Sequence, residues 1–139
     1  MTSNSLLKNK NFVLFLSIRW FYSLAIQSIT LTVGWQVYIL TGNPLDLGLI
    51  GLAQVLPIFL FILPSGVIAD KFDRKVVITL CTIVHLLVAI YLLYYSLGDP
   101  ESIWPILAAL LVHGTARAMY QPSLNAILPN IVEKKLFPN

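Results

Sequence analysis

A chain of 139 residues that is 58% hydrophobic and 11% charged carries more apolar surface than a water-soluble domain of this size can bury. The formal charge of +3 and the pI near 9.1 do not point to nucleic acid, because the basic residues flank apolar runs and form no continuous face. A mean hydropathy of +0.82 makes a bilayer the expected solvent, and a single cysteine, Cys81, excludes a disulfide framework.

Residues 1–11 are polar, with Lys8 and Lys10, and read as a tail outside the membrane. The apolar segment 12–40 exceeds the roughly 20 residues needed to cross a hydrocarbon core of about 30 Å. It is far longer than a signal h-region of about 7–15 residues and has no small-residue cleavage site. Thr41-Gly-Asn-Pro-Leu-Asp46 reads as a turn. Segment 47–69 contains Pro57 and Pro64, which kink a spanning helix without forbidding it. The charged stretch 70–75 follows, then the apolar segment 76–97, in which Cys81 reads as a small buried hydrophobe. Gly98-Asp-Pro-Glu101 is an acidic turn, 103–127 is a fourth apolar segment, and 128–139 is a second tail with Glu133, Lys134 and Lys135.

The expected fold is an all-α membrane protein of four transmembrane helices. Lys8, Lys10, Lys71, Arg74, Lys75, Lys134 and Lys135 all fall on one side of such a chain. Asp46, Asp99 and Glu101 fall on the other, with no basic residue beside them. The positive-inside rule then places both termini and the 70–75 stretch in the cytoplasm. Trp20, Trp35, Tyr38, Tyr94, Tyr95 and Trp104 lie near the expected boundaries and suit interfacial belts.

Polar groups inside hydrocarbon are costly and invite explanation. On the first helix, Arg19, Ser23, Gln27, Thr30 and Gly34 recur at spacings of three and four, which makes one stripe. On the fourth, His113, Arg117 and Gln121 recur at spacings of four. Two such stripes predict that both helices line a shared wet cavity. Arg19 has a second reading, since it lies within about two to three turns of the cytoplasmic end and can snorkel there. Arg117 is the deeper candidate for the cavity. His113 sits mid-span, either bonded to a neighbouring helix or proton-linked. His85 has no polar stripe around it and reads as structural. No carboxylate lies within the four spans, which counts against a proton relay of Asp and Glu residues. The positive lining that remains favours an anionic or electron-rich small-molecule substrate.

Other chemistry is not encoded. The chain has no Walker-type loop, no Cys/His cluster with metal-ligand spacing and no Gly-x-Ser-x-Gly elbow. The expectation is a non-enzyme without cofactor or metal.

The stretch Gly66-x-x-x-Asp70-Lys71-x-Asp73-Arg74-Lys75 resembles the signature between the second and third helices of the major facilitator superfamily, with Asp73 in place of that pattern's second glycine. Ala69-Asp-Lys-Phe-Asp-Arg-Lys75 is similar to the variant found in a bacterial drug and siderophore efflux branch, that of the enterobactin exporter. Gly34-Trp-Gln-Val-Tyr-x-Leu-Thr-Gly42, Leu47-Gly-Leu-Ile-Gly-Leu-Ala53 and Gln121-Pro-Ser-Leu-Asn-Ala-Ile-Leu-Pro129 extend the resemblance to nearly the whole chain. The resemblance implies a secondary active exporter of a small molecule in the bacterial inner membrane. It implies that Asp70 accepts hydrogen bonds at a helix amino terminus in the second half of such a transporter. It also implies that Arg74 pairs with Asp70 or neighbouring acids to latch one state, and that Gly66 permits close helix approach. Arg117 resembles the basic residue of the family's fourth-helix motif, without the Gln-Gly step that follows it there. A first-helix acid used by some drug/proton antiporters is not seen.

Members of that superfamily have twelve helices in two halves. A four-helix chain is then expected to be an amino-terminal fragment that does not transport alone and whose latch partner lies in a missing remainder. The alternative is a small four-helix membrane protein acting as a homo-oligomeric carrier or a non-transporting scaffold.

Overall fold

The computed structural model describes residues 10–133. Among these residues all regular structure is helical: α1 (Lys10–Thr41), α2 (Pro44–Lys71), α3 (Arg74–Leu97) and α4 (Trp104–Glu133). Three of the helices, α1 to α3, contain stretches long and apolar enough to cross a membrane by length and composition. The fourth does not reach that level, although the sequence suggested a fourth apolar span. Its polar residues are tolerated because α4 is the inner helix, packed against α2 on one side and α3 on the other. A helix sheltered by its neighbours needs less lipid-facing apolar surface.

The turns are short, and their sequences explain why. After α1, Gly42 takes the left-handed conformation (φ 64°) and its amide donates to the Tyr38 carbonyl at 2.8 Å. Asn43 then caps α2, its Oδ1 accepting from the Leu45 amide at 3.1 Å, while Pro44 occupies the first helical position, where no amide hydrogen is needed. So α2 begins inside the stretch that reads as a turn. It also continues through Lys71, leaving only Phe72 and Asp73 between α2 and α3. Asp73 caps α3, its carboxylate accepting from the Lys75 amide at 2.9 Å. In the α3–α4 turn the left-handed residue is Asp99 (φ 54°), not Gly98. Tyr95 clasps that turn: its hydroxyl donates to the Ser102 carbonyl at 2.8 Å and accepts from the Ser102 amide at 3.3 Å.

The interior has three layers along the helix axes. One apolar cluster gathers Val33, Val37, Ile50, Ala53, Val88, Leu92, Ile106 and Leu110 near the α1–α2 and α3–α4 turns. A second gathers Phe15, Val77, Cys81, Ala116, Tyr120 and Leu124 at the opposite end. Between them lies a polar layer containing His85 and His113, both buried.

The tightest packing is where α2 meets α4. A Cβ added at Gly114 would lie 2.6 Å from the Gln54 carbonyl oxygen and 3.1 Å from Pro57 Cγ. Only glycine lets the two backbones come this close. Gly114→Ala should therefore cost about 1–3 kcal/mol in unfolding experiments in mixed micelles. Gly48→Ala, on the same pair of helices but with nothing within 4 Å, should be neutral or stabilising by up to about 1 kcal/mol. Equal behaviour of the two variants would refute the close approach.

Candidate functional site

The polar layer is built from three helices, and the sequence places its two histidines at one depth. His85 lies thirteen residues before Gly98 and His113 twelve residues after Glu101. At about 1.5 Å per residue the two imidazoles descend to nearly the same level from their shared turn. They meet there: His85 Nδ1 lies 3.1 Å from His113 Nδ1, with ring centroids 4.5 Å apart. On its other side, His85 Nε2 lies 2.8 Å from the Tyr22 hydroxyl of α1. Tyr22 in turn stacks on Tyr120 of α4, with centroids 3.9 Å apart and planes within 16° of parallel. His113 Nε2 is fully enclosed and has no hydrogen-bond partner among the described residues.

A second polar contact joins α1 to α2. Thr30 Oγ1 lies 3.0 Å from the Ile26 carbonyl and 3.2 Å from Gln54 Oε1. One hydroxyl hydrogen cannot serve both acceptors fully. Turning the Gln54 amide makes its nitrogen the donor to Thr30 and frees the Thr30 hydrogen for Ile26. In either orientation one amide atom of the buried Gln54 faces no partner.

The two sequence stripes have different fates. Arg19, Ser23 and Gln27 are exposed along α1, while Thr30 and Gly34 are half-buried against its neighbours. On α4 the stripe turns out of the core: His113 is buried, Arg117 half-buried and Gln121 exposed. Steps of four residues advance about 40° around a helix, so a stripe that starts inside leaves the interior after two steps. Arg117 remains within electrostatic reach of Tyr22, His85 and His113, and Arg19 of Tyr120. The structure thus brings His113 and Arg117 together with His85, Tyr22 and Tyr120, three residues outside the stripes. The signal for His85 was its matching depth across the hairpin. Tyr22 and Tyr120 have none, since an aromatic residue in an apolar run is common.

In the signature stretch, the Arg74 guanidinium donates from Nη1 to the Ala126 carbonyl at 2.6 Å, tying the start of α3 to α4. Asp73 is occupied as the α3 cap, and Lys71 and Lys75 are exposed. Gly66 and Asp70 belong to the last turns of α2; their surroundings, like Lys8, Lys134 and Lys135, lie outside the described residues. Among the described residues no group of His, Cys, Asp and Glu side chains is arranged to hold a metal ion.

The described residues form a bundle of apolar helices with a charged turn between α2 and α3 and a buried polar layer. The transmembrane secretion effector family matches residues 4–139. The chain belongs to that family, and through it to the major facilitator superfamily. This family member also resembles a protein of Bacillus subtilis (strain 168) named as an uncharacterised MFS-type transporter, YfiS, with 27% identity over 112 residues. The match covers 81% of the chain and 24% of YfiS, so it spans about a quarter of that relative's length. No solved structure matches it. Membership makes the protein a multi-pass membrane protein of a transporter family, in contact with the lipid bilayer.

A charged donor's hydrogen bond contributes about 1.5 kcal/mol, and every 1.4 kcal/mol or so is tenfold in an equilibrium. Arg74→Ala should accordingly speed amide exchange around Ala126 by about tenfold in lipid nanodiscs, with the Tyr95–Ser102 turn unaffected. Unchanged exchange near Ala126 would mean that the Arg74 contact does not hold α4.

Proposed function

We propose that this chain forms the signature loop and part of the substrate cavity of a secondary active exporter in a bacterial inner membrane. Its cargo is a small molecule of drug or siderophore kind, anionic or electron-rich at the part that meets the cavity. The family's description as a secretion effector and the Ala-Asp-Lys-Phe-Asp-Arg-Lys form of the loop support export and the efflux branch. The observation that carries the anionic preference is Arg117. It is half-buried on the inner helix, beside a buried imidazole pair, in spans that contain no carboxylate. An unneutralised guanidinium in that setting attracts an anion.

In this reading α4 is a fourth crossing, both termini and the Phe72–Asp73 turn face the cytoplasm, and Asp70 and Arg74 belong to the cytoplasmic latch. The exposed stripe Arg19, Ser23 and Gln27 is the α1 share of the cavity lining, with Gln121 the α4 share. Their other walls come from the rest of the transporter; the match covers 24% of the relative.

Two experiments test this. In the intact transporter, Arg117→Ala should weaken handling of anionic substrates selectively; equal loss for neutral and anionic substrates would sink the preference. For topology, single cysteines at exposed positions in a Cys81→Ser background report the side. Phe72→Cys should react with an impermeant maleimide only after the cell membrane is opened, whereas Glu101→Cys should react in intact spheroplasts. The reverse pattern would overturn the orientation.

A further inference from the structure

We infer that Tyr22, His85 and His113 form a binding site for a single proton, buried inside the helix bundle and reached through Tyr22. The geometry defines the count. The 3.1 Å contact between the two Nδ1 atoms has room for one hydrogen. With both imidazoles neutral, a second hydrogen sits on one of the two Nε2 atoms. Two arrangements satisfy the contacts. In the first, the Tyr22 hydroxyl donates to His85 Nε2, His85 Nδ1–H donates to His113 Nδ1, and His113 Nε2–H points at nothing. In the second every donor is reversed, Tyr22 accepts from His85 Nε2–H, and His113 Nε2 presents a bare lone pair.

Adding one proton to either arrangement gives the same loaded form: a hydrogen on each Nε2 and one between the Nδ1 atoms. From the first arrangement a hydronium ion beside the half-buried Tyr22 delivers its proton to the Tyr22 oxygen as the Tyr22 hydrogen passes to His85 Nε2, and water is left behind. Unloading is the reverse. No bond other than O–H and N–H changes, and no further reactant is needed. The shared hydrogen is then a charge-assisted bond between imidazole and imidazolium. A further proton would set two N–H groups head to head at 3.1 Å and break the pair, so the site holds one.

The surroundings fit a site that is loaded and emptied, not a static ion pair. From α1 the pair is faced by Tyr22 and from α4 by Tyr120 and Arg117, while Cys81 of α3 acts on Tyr22 and Tyr120, and Arg19 of α1 on Tyr120. The described part of α2 that packs at this level brings Gln54 and no ionisable group. Among the described residues no carboxylate neutralises the pair, so the added charge is not locked in place. The loaded form also leaves His113 Nε2–H enclosed without an acceptor. Any conformation that supplies one binds the proton more tightly, and the proton favours that conformation to the same degree.

The chain contains two histidines, so histidine-selective ¹⁵N labelling observes this pair and nothing else. The experiment uses the 139-residue chain in lipid nanodiscs and follows both rings by NMR across the histidine titration range. The expected result is a scalar coupling between the two Nδ1 atoms and the uptake of one proton shared by both rings. Tyr22→Phe, which keeps the ring stacked on Tyr120, should shift the His113 nitrogens as well as those of His85. His113→Asn should leave His85 to take up a whole proton alone. Two rings that each gain their own proton, or His113 resonances indifferent to Tyr22→Phe, would overturn the site. The inference is independent of the anionic preference. Failure of Arg117→Ala to discriminate substrates leaves the proton site standing, and independent histidine titration leaves the anion reading standing.

Discussion

The backbone contact between α2 and α4 at Gly114 is the constraint on which the bundle depends. It brings the Gln54 carbonyl against the Gly114 Cα and seats Pro57 in the same notch. With little hydrophobic driving force between helices in lipid, such close approach gains dispersion contact that larger residues deny. Its position has a second effect. Gly114 directly follows His113, about 100° around the helix, so the residue that lets α4 close on α2 adjoins an imidazole that is fully buried. His113 is fully buried, and its partner comes from α3, the helix on the other side of α4.

That partner is His85, and the polar layer they form divides the core into two apolar compartments. A polar group at such depth must be hydrogen-bonded or carry a penalty. Most of this layer is bonded, through Tyr22, His85 and the shared hydrogen, whereas one nitrogen of His113 and one amide atom of Gln54 are not. Both unpaired atoms flank the same α2–α4 contact. Close packing at that contact coexists with incomplete hydrogen bonding.

Much of the fold is legible in the residues. Apolar runs punctuated by Gly42-Asn-Pro44 and by Gly98-Asp-Pro-Glu101 give helices, turns and order. The charged stretch and its spacing give the superfamily. The helix ends are less legible, because caps by Asn43 and Asp73 let helices begin inside segments whose composition reads as loop. The site is legible in part. Stripe reasoning finds His113 and Arg117 but treats the interval of four as one face, and the drift around the helix carries Gln121 to the surface. His85 escapes periodicity altogether, because its partner is 28 residues away on another helix and only a comparison of depths joins them. Tyr22, 63 residues from His85, needs the tertiary structure.

The placement of Tyr22 has a mechanical consequence. Helix α1 packs chiefly on α2 and touches α4 along a short seam. At that seam one side chain makes two attachments of different kinds, a ring face on Tyr120 and a hydroxyl on His85. The stack tolerates sliding of the rings, whereas the hydrogen bond does not tolerate an ångström of lengthening. A small roll of α1 would therefore disconnect His85 before it released Tyr120. Tyr22 thus holds α1 by two attachments of unequal tolerance, of which the polar one is the more exacting.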